Sequence, residues 1–129
     1  MTARPFVAFL ADAALITLFA ATGRASHDSD VLTGLWQTAW PFLAALVIGW
    51  TISRAWRAPF APARTGVVVW VVVLAGGMAL RALTGQGTAL AFVIVAAVTL
   101  CLLLVGWRLL VAGVARLSRR RTTAQRAAS

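Results

Sequence analysis

Four stretches of this sequence are apolar and close to the length a bilayer demands of a crossing helix, roughly residues 5–22, 35–53, 65–83 and 88–113. A helix rises about 1.5 Å per residue, so about 20 apolar residues cover the hydrocarbon core. Valine runs such as GVVVWVVVL, residues 66–74, would favour a strand in water. In hydrocarbon a lone strand leaves its backbone groups unpaired, so helix prevails. The expected fold is all-α: a four-transmembrane-helix bundle over residues 1–113 and a basic, partly disordered tail over 114–129.

Composition agrees. Of 129 residues 61% are hydrophobic and 12% charged, and Lys, Glu and Tyr are absent. A small soluble domain cannot hide so much apolar surface. The net charge of +9 does not argue for nucleic acid, because the arginines fall between and after the apolar segments rather than on a water-exposed folded surface. Cys101 is the single cysteine, which excludes an internal disulfide and a cysteine-built metal site.

The connections set an orientation. Arg4 precedes the first span; Arg54, Arg57 and Arg64 lie between the second and third; Arg116, Arg119, Arg120, Arg121 and Arg126 follow the fourth. Positive charge is retained on the cytoplasmic side, which places both termini inside, in a bacterial cytoplasmic membrane. Trp36 and Trp40 then mark the outer end of the second span, and Trp50, Trp56, Trp70 and Trp107 mark inner ends. The first span resembles a signal peptide in length, but Asp12 interrupts it and no clean small-x-small site follows, so it is expected to be retained.

Local chemistry fills in the connections. TGQGT, residues 84–88, reads as a tight turn with Thr88 as N-cap of the last helix, and a phosphate-binding reading of its lone Gly-x-Gly lacks the strand-to-helix context. Pro59 and Pro62 break any helix through the inner loop, whereas Pro41 kinks the second span or sits in its first turns. Gly76 and Gly77, with Gly49 and Gly106, are places where helices can approach closely. No internal repeat relates the two halves, so a single-chain inverted-repeat transporter is not supported.

Few residues are candidates for anything beyond packing. SHDS, residues 26–29, holds the residue types of a triad, but adjacent residues rarely converge, and a polar loop is the better account. On the outer face Arg24, His27, Asp28, Asp30 and Arg81 form a candidate polar cluster; His27 could titrate near neutral pH, and Arg81 could snorkel or meet Asp28 or Asp30. The tail arginines Arg116, Arg119, Arg120 and Arg121 suit anionic lipid headgroups, and partner docking is the alternative. No metal set, cofactor motif or catalytic constellation is evident, so an enzyme is the least supported class.

Asp12 is the exception inside a span, about 10 Å below the boundary by helical rise. Its own helix face offers Ala8, Phe9, Leu15, Ile16 and Phe19, none of which satisfies a carboxylate. Depth on the other spans singles out Arg108 as first partner, with the indole N–H of Trp70 at a similar level. A held carboxylate is a brace between the first and fourth helices and a poor proton carrier; an unpartnered one could exchange protons or bind a cation.

The strings FLADAALITLFAATGRASH, TAWPFLAALVIGW, GVVVWVVVLAGGMALRALTGQGTALAFVIVA and LLLVGWRLL together resemble the domain of unknown function 3054 family, small bacterial and archaeal membrane proteins, from Phe6 to about Leu110. The resemblance implies four membrane helices and no mechanism. Asp12, Arg24, His27, Arg81, Thr88 and Arg108 lie within these strings. Likeness to the small multidrug-resistance exporters, which also carry an acid in the first of four helices, is architectural only. The expected function is a structural or accessory membrane component, contacting lipid and either a second copy or another membrane protein. The alternative is a small oligomeric transporter or proton-coupled exporter using Asp12.

Overall fold

The computed structural model describes residues 4–25 and 31–128, and its order is helical from one end to the other. Helix α1 is Arg4–Ala25, with Pro5 in its first turn, where a missing N–H costs nothing. Helix α2 is Val31–Ser53 and runs continuously through Pro41, a placement that membrane helices tolerate when neighbours cover the freed backbone. Helix α3 is Val68–Leu83, α4 is Leu90–Leu100 and α5 is Gly106–Ala128. No strand occurs among the described residues.

Four of the resulting helical segments are long and apolar enough to cross a membrane: Arg4–Thr22, Gly34–Ser53, Pro62–Leu83 and Leu90–Ala128. The last one joins α4 to α5 through a wider π-helical turn, Cys101–Val105. A second such turn, Pro62–Val67, leads into α3.

Two connections differ in character. After Ser53 the chain turns back at Arg54, whose φ of 52° is left-handed, and continues through a short 3-10 turn, Ala55–Arg57. Between α3 and α4 the reversal falls on Gly85, φ 75°, a conformation that favours glycine. Thr88, expected as the N-cap of the last helix, does not cap it: α4 starts after Ala89, without a side-chain cap. The loop is closed instead by Arg81, which donates from Nε to the Gly87 carbonyl and from Nη1 to Gln86 Oε1, both at 3.0 Å.

The tail also departs from expectation. Residues 114–128 continue α5 as helix rather than becoming disordered, because alanine and arginine lose little entropy in a helix and no glycine or proline follows Gly113. They are exposed almost throughout.

Helices α2 and α3 make the closest pairing. Gly76 faces Ala45, where an added Cβ would sit 3.0 Å from the alanine methyl, and one at Gly77 would overlap the Phe42 ring. Gly49 meets Val72 in the same seam at ordinary contact distance. These are the close approaches that small residues permit. Gly106 is not one of them, since nothing lies within 4 Å of its Cβ position; it borders the wider turn instead. Phe42, Leu46, Val69, Val73, Leu100 and Leu104 build the shared core.

The bundle therefore has a basic end, carrying Arg4, the 54–61 connection and α5, and a turn end, carrying Gly85. Asp12 and Arg108 lie toward the first, and both are fully buried.

A buried carboxylate held by arginine and two indoles

Asp12 shares a helix stripe with Ala8, Ile16 and Ala20, all buried, which are the i±4 and i+8 neighbours that point inward together. The stripe is fixed by its apolar members, so the carboxylate is carried into the core with them. Nothing on α1 meets it.

The fourth span brings Arg108 in by a similar route. Ala96, Leu100, Leu104 and Arg108 are buried at successive steps of four. In an ideal α-helix each such step drifts by roughly 40°. A wider turn advances less per residue and counters that drift, and the π-helical turn Cys101–Val105 lies in the middle of this stripe. All four residues consequently keep one face, and Arg108 ends opposite Asp12.

The contact is two-pronged. Arg108 Nη1 donates to Asp12 Oδ1 at 2.8 Å and Nη2 to Oδ2 at 2.7 Å. This is the parallel fork by which guanidinium matches carboxylate. Arg108 also donates from Nη1 to the Leu104 carbonyl at 2.9 Å and from Nε to the Pro59 carbonyl at 2.8 Å. Pro59 belongs to the 54–61 connection, so this loop closes over the pair.

Two indoles complete the carboxylate. Trp107 Nε1 donates to Oδ1 and Trp50 Nε1 to Oδ2, each at 2.9 Å. Each oxygen thus accepts two hydrogen bonds from separate donors, and no described buried side-chain N or O lacks a partner. Phe9 packs edge-on to Trp50 and Phe60 edge-on to Trp107, with centroids 5.3 and 5.6 Å apart. Arg4 lies over Phe60 at 5.1 Å, adding a cation–π contact above the aromatic cover.

Gly66, in the wider turn that opens α3, makes room for this arginine: an added Cβ would come within 3.2 Å of Arg108 Cδ. Thr65 beside it is fully buried and donates to the Ala58 carbonyl. The 54–61 connection is therefore pinned from both α3 and the fourth span.

Trp70 is not part of the site. Its Nε1 donates to the Ala97 carbonyl at 2.9 Å, tying α3 to α4. Helical rise gives depth but not direction, and α3 turns this indole toward the fourth span instead of toward α1. The two tryptophans that do reach Asp12, Trp50 and Trp107, are ones whose positions in the sequence suggest interfacial markers. A sequence signal for Trp50 exists: Phe42, Leu46 and Trp50 repeat at four-residue spacing, as buried core positions do. Trp107 is signalled only by its adjacency to Arg108.

The candidate outer cluster is described in part. His27, Asp28 and Asp30 lie outside the described residues, as does the side chain of Arg24. Arg81 sits at the turn end with its guanidinium 4.4 Å from the Phe92 ring centroid, in addition to its loop bonds. The tail residues Arg116, Arg119, Arg120 and Arg121 are far along α5, beyond the packed part of the bundle.

Chemically, the Asp12 site is a saturated ion pair. Each carboxylate oxygen has both of its acceptor positions occupied by N–H donors. Among the described residues no group of three His, Cys, Asp or Glu side chains forms a metal set, and the acceptors around Arg108 are one carboxylate and two main-chain carbonyls.

A family model described as "Protein of unknown function (DUF3054)" matches residues 9–111. The matched region contains Asp12, Trp50, Trp107 and Arg108 and stops short of the tail arginines. No curated protein and no solved structure matches the chain.

Proposed function

The chain belongs to the DUF3054 family, and on that premise we propose that it is a structural or accessory component of the cytoplasmic membrane, with Asp12 and Arg108 as a permanent brace between its first and last spans. One observation carries this reading: every acceptor position of the buried carboxylate that the fold can reach is used by Arg108, Trp50 or Trp107. Such a group holds helices in register and has no vacancy for a proton or a solute cation.

Both termini face the cytoplasm in this proposal, because the arginines of the basic end sit where positive charge is retained. The exposed arginines of α5 then stand at and beyond the inner membrane surface, where each gains about 1 kcal/mol from anionic lipid headgroups. The outward apolar faces, including Leu102, Leu109 and Leu110 on the fourth span, meet lipid tails, a second copy or another membrane protein.

The test is flux. Protein reconstituted into liposomes with a pH gradient should leave the gradient as stable as in protein-free liposomes. Proton movement that disappears in Asp12→Asn, with the variant still folded, would replace the brace with a transport site.

A further inference from the structure

At the basic end, against the 54–61 connection, Arg4, Trp56 and Arg57 line an open pocket of about 320 Å³ together with Pro59 and Phe60. Its size is at the small end of ligand sites, roughly 300–1,000 Å³. The Asp12 site is its neighbour: the Pro59 carbonyl accepts from Arg108, and Phe60 packs on Trp107. None of the side chains that bind Asp12 lines the pocket.

The connection spends its acceptors and leaves donors over. Its Arg54, Ala55 and Ala58 carbonyls accept from the Arg57, Ala58 and Ala61 amides, Ala58 accepts also from Thr65, and Pro59 from Arg108. The guanidinium of Arg57 and the indole N–H of Trp56 meet no acceptor among the described residues, and the guanidinium of Arg4 meets only the Phe60 ring. All three side chains are exposed, so water satisfies them when the pocket is empty.

Charge decides what such a pocket takes. The chain carries twelve arginines and three carboxylate side chains. Asp12 is occupied by Arg108, and Asp28 and Asp30 follow the opposite end of α1 in the sequence. No carboxylate lines the pocket. The counter-charge for Arg4 and Arg57 therefore comes from outside the chain, and two guanidinium groups with an indole N–H suit the oxygens of a phosphate.

Position decides between a free phosphate and one carried by a lipid. Arg4 opens the first span, and Trp56 and Arg57 follow the end of the second at Ser53, so the pocket sits at the membrane boundary. The helix ends that bear it expose Phe6 and Val7 of α1 and Ile52 of α2, an apolar surface suited to hydrocarbon. We propose that this pocket binds the headgroup of one anionic phospholipid, its phosphate oxygens at Arg4, Arg57 and the Trp56 indole and its acyl chains along α1 and α2. The site rests on the reading of the chain as a membrane-embedded bundle, and it needs neither the brace nor an inward orientation. It differs from the diffuse attraction of the α5 arginines in holding a single lipid at a fixed place.

The experiment separates these sources. Full-length protein in detergent micelles is titrated with dioleoylphosphatidylglycerol or dioleoylphosphatidylcholine, and bound lipid is counted by native mass spectrometry. Wild type should retain one phosphatidylglycerol per chain through detergent exchange, and inorganic phosphate at millimolar concentration should not displace it. Arg4→Gln combined with Arg57→Gln should weaken retention at least about ten-fold, through loss of two charge-assisted contacts. Trp56→Phe should weaken it about three-fold. Arg119→Gln combined with Arg120→Gln removes as much charge from the tail and should change it by less than about two-fold, because distant exposed charges are screened. Thermal unfolding in lipid-free detergent reports whether each variant is folded; if the Arg4 and Arg57 double variant is not, Arg57→Gln alone takes its place. A chain that stayed folded and soluble without detergent would remove the membrane reading itself, and the brace fails separately, by proton flux that Asp12→Asn abolishes. Equal retention by wild type and a folded variant of the pocket arginines, or an equal loss in the tail variant, would overturn the site. Displacement by inorganic phosphate would overturn its assignment to a lipid, and equal retention of phosphatidylcholine its assignment to an anionic one.

Discussion

A single carboxylate among apolar residues is unstable as a sequence feature unless the fold supplies donors, and here three side chains supply four hydrogen bonds. The two indoles give the site its own measurable signature. Trp50→Phe and Trp107→Phe each keep an aromatic ring while removing one N–H from a charged acceptor, so each should cost about 1.5–3 kcal/mol in equilibrium unfolding. Trp70→Phe removes a hydrogen bond to a neutral carbonyl and should cost less, about 0.5–1.5 kcal/mol. Equal losses at all three positions would mean that Asp12 is not the acceptor that matters. Arg108 was legible in the sequence because depth can be counted along a helix. Trp50 carried only the four-residue spacing it shares with Phe42 and Leu46, and Trp107 only its adjacency to Arg108, because the face that a tryptophan presents depends on which neighbours pack around its helix.

The helices themselves were legible from their apolar lengths, and their irregularities were not. Nothing in CLLLV or PARTGV announces a wider turn, yet the first keeps Leu100, Leu104 and Arg108 on one face and the second places Gly66 against Arg108. The glycines separate by the same contrast between pattern and packing. Gly77→Ala would drive a methyl into the buried Phe42 ring and should destabilise by about 1–3 kcal/mol. Gly113→Ala, with nothing within 4 Å, should be neutral or stabilising by up to about 1 kcal/mol through helix propensity. Denaturant titration of both variants in the same detergent checks the pair, and a Gly77→Ala protein as stable as wild type would show that the α2–α3 seam is looser than described.

At the scale of the whole molecule, the spans are joined by short connections at both ends, and the hydrogen bonds of Arg108 and Trp107 to Asp12 link the first span to the last. The proposed orientation is checked by fusions: a fluorescent protein after Ser129 should fold and fluoresce in the cytoplasm, and alkaline phosphatase fused after Gly87 should be active outside it. The reverse pattern would invert the bundle. The brace itself is a claim about two residues acting as one, separated by 96 positions in the chain. Removing either partner leaves the other buried without its counter-charge, at about 3–5 kcal/mol, whereas removing both spares that penalty. The most direct measurement is therefore a double-mutant cycle of Asp12→Asn and Arg108→Gln, read by reversible unfolding in detergent. Coupling between them should be about 2 kcal/mol or more, with the double variant at least as stable as the less stable single one; additive losses, or single variants as stable as wild type, would contradict the brace.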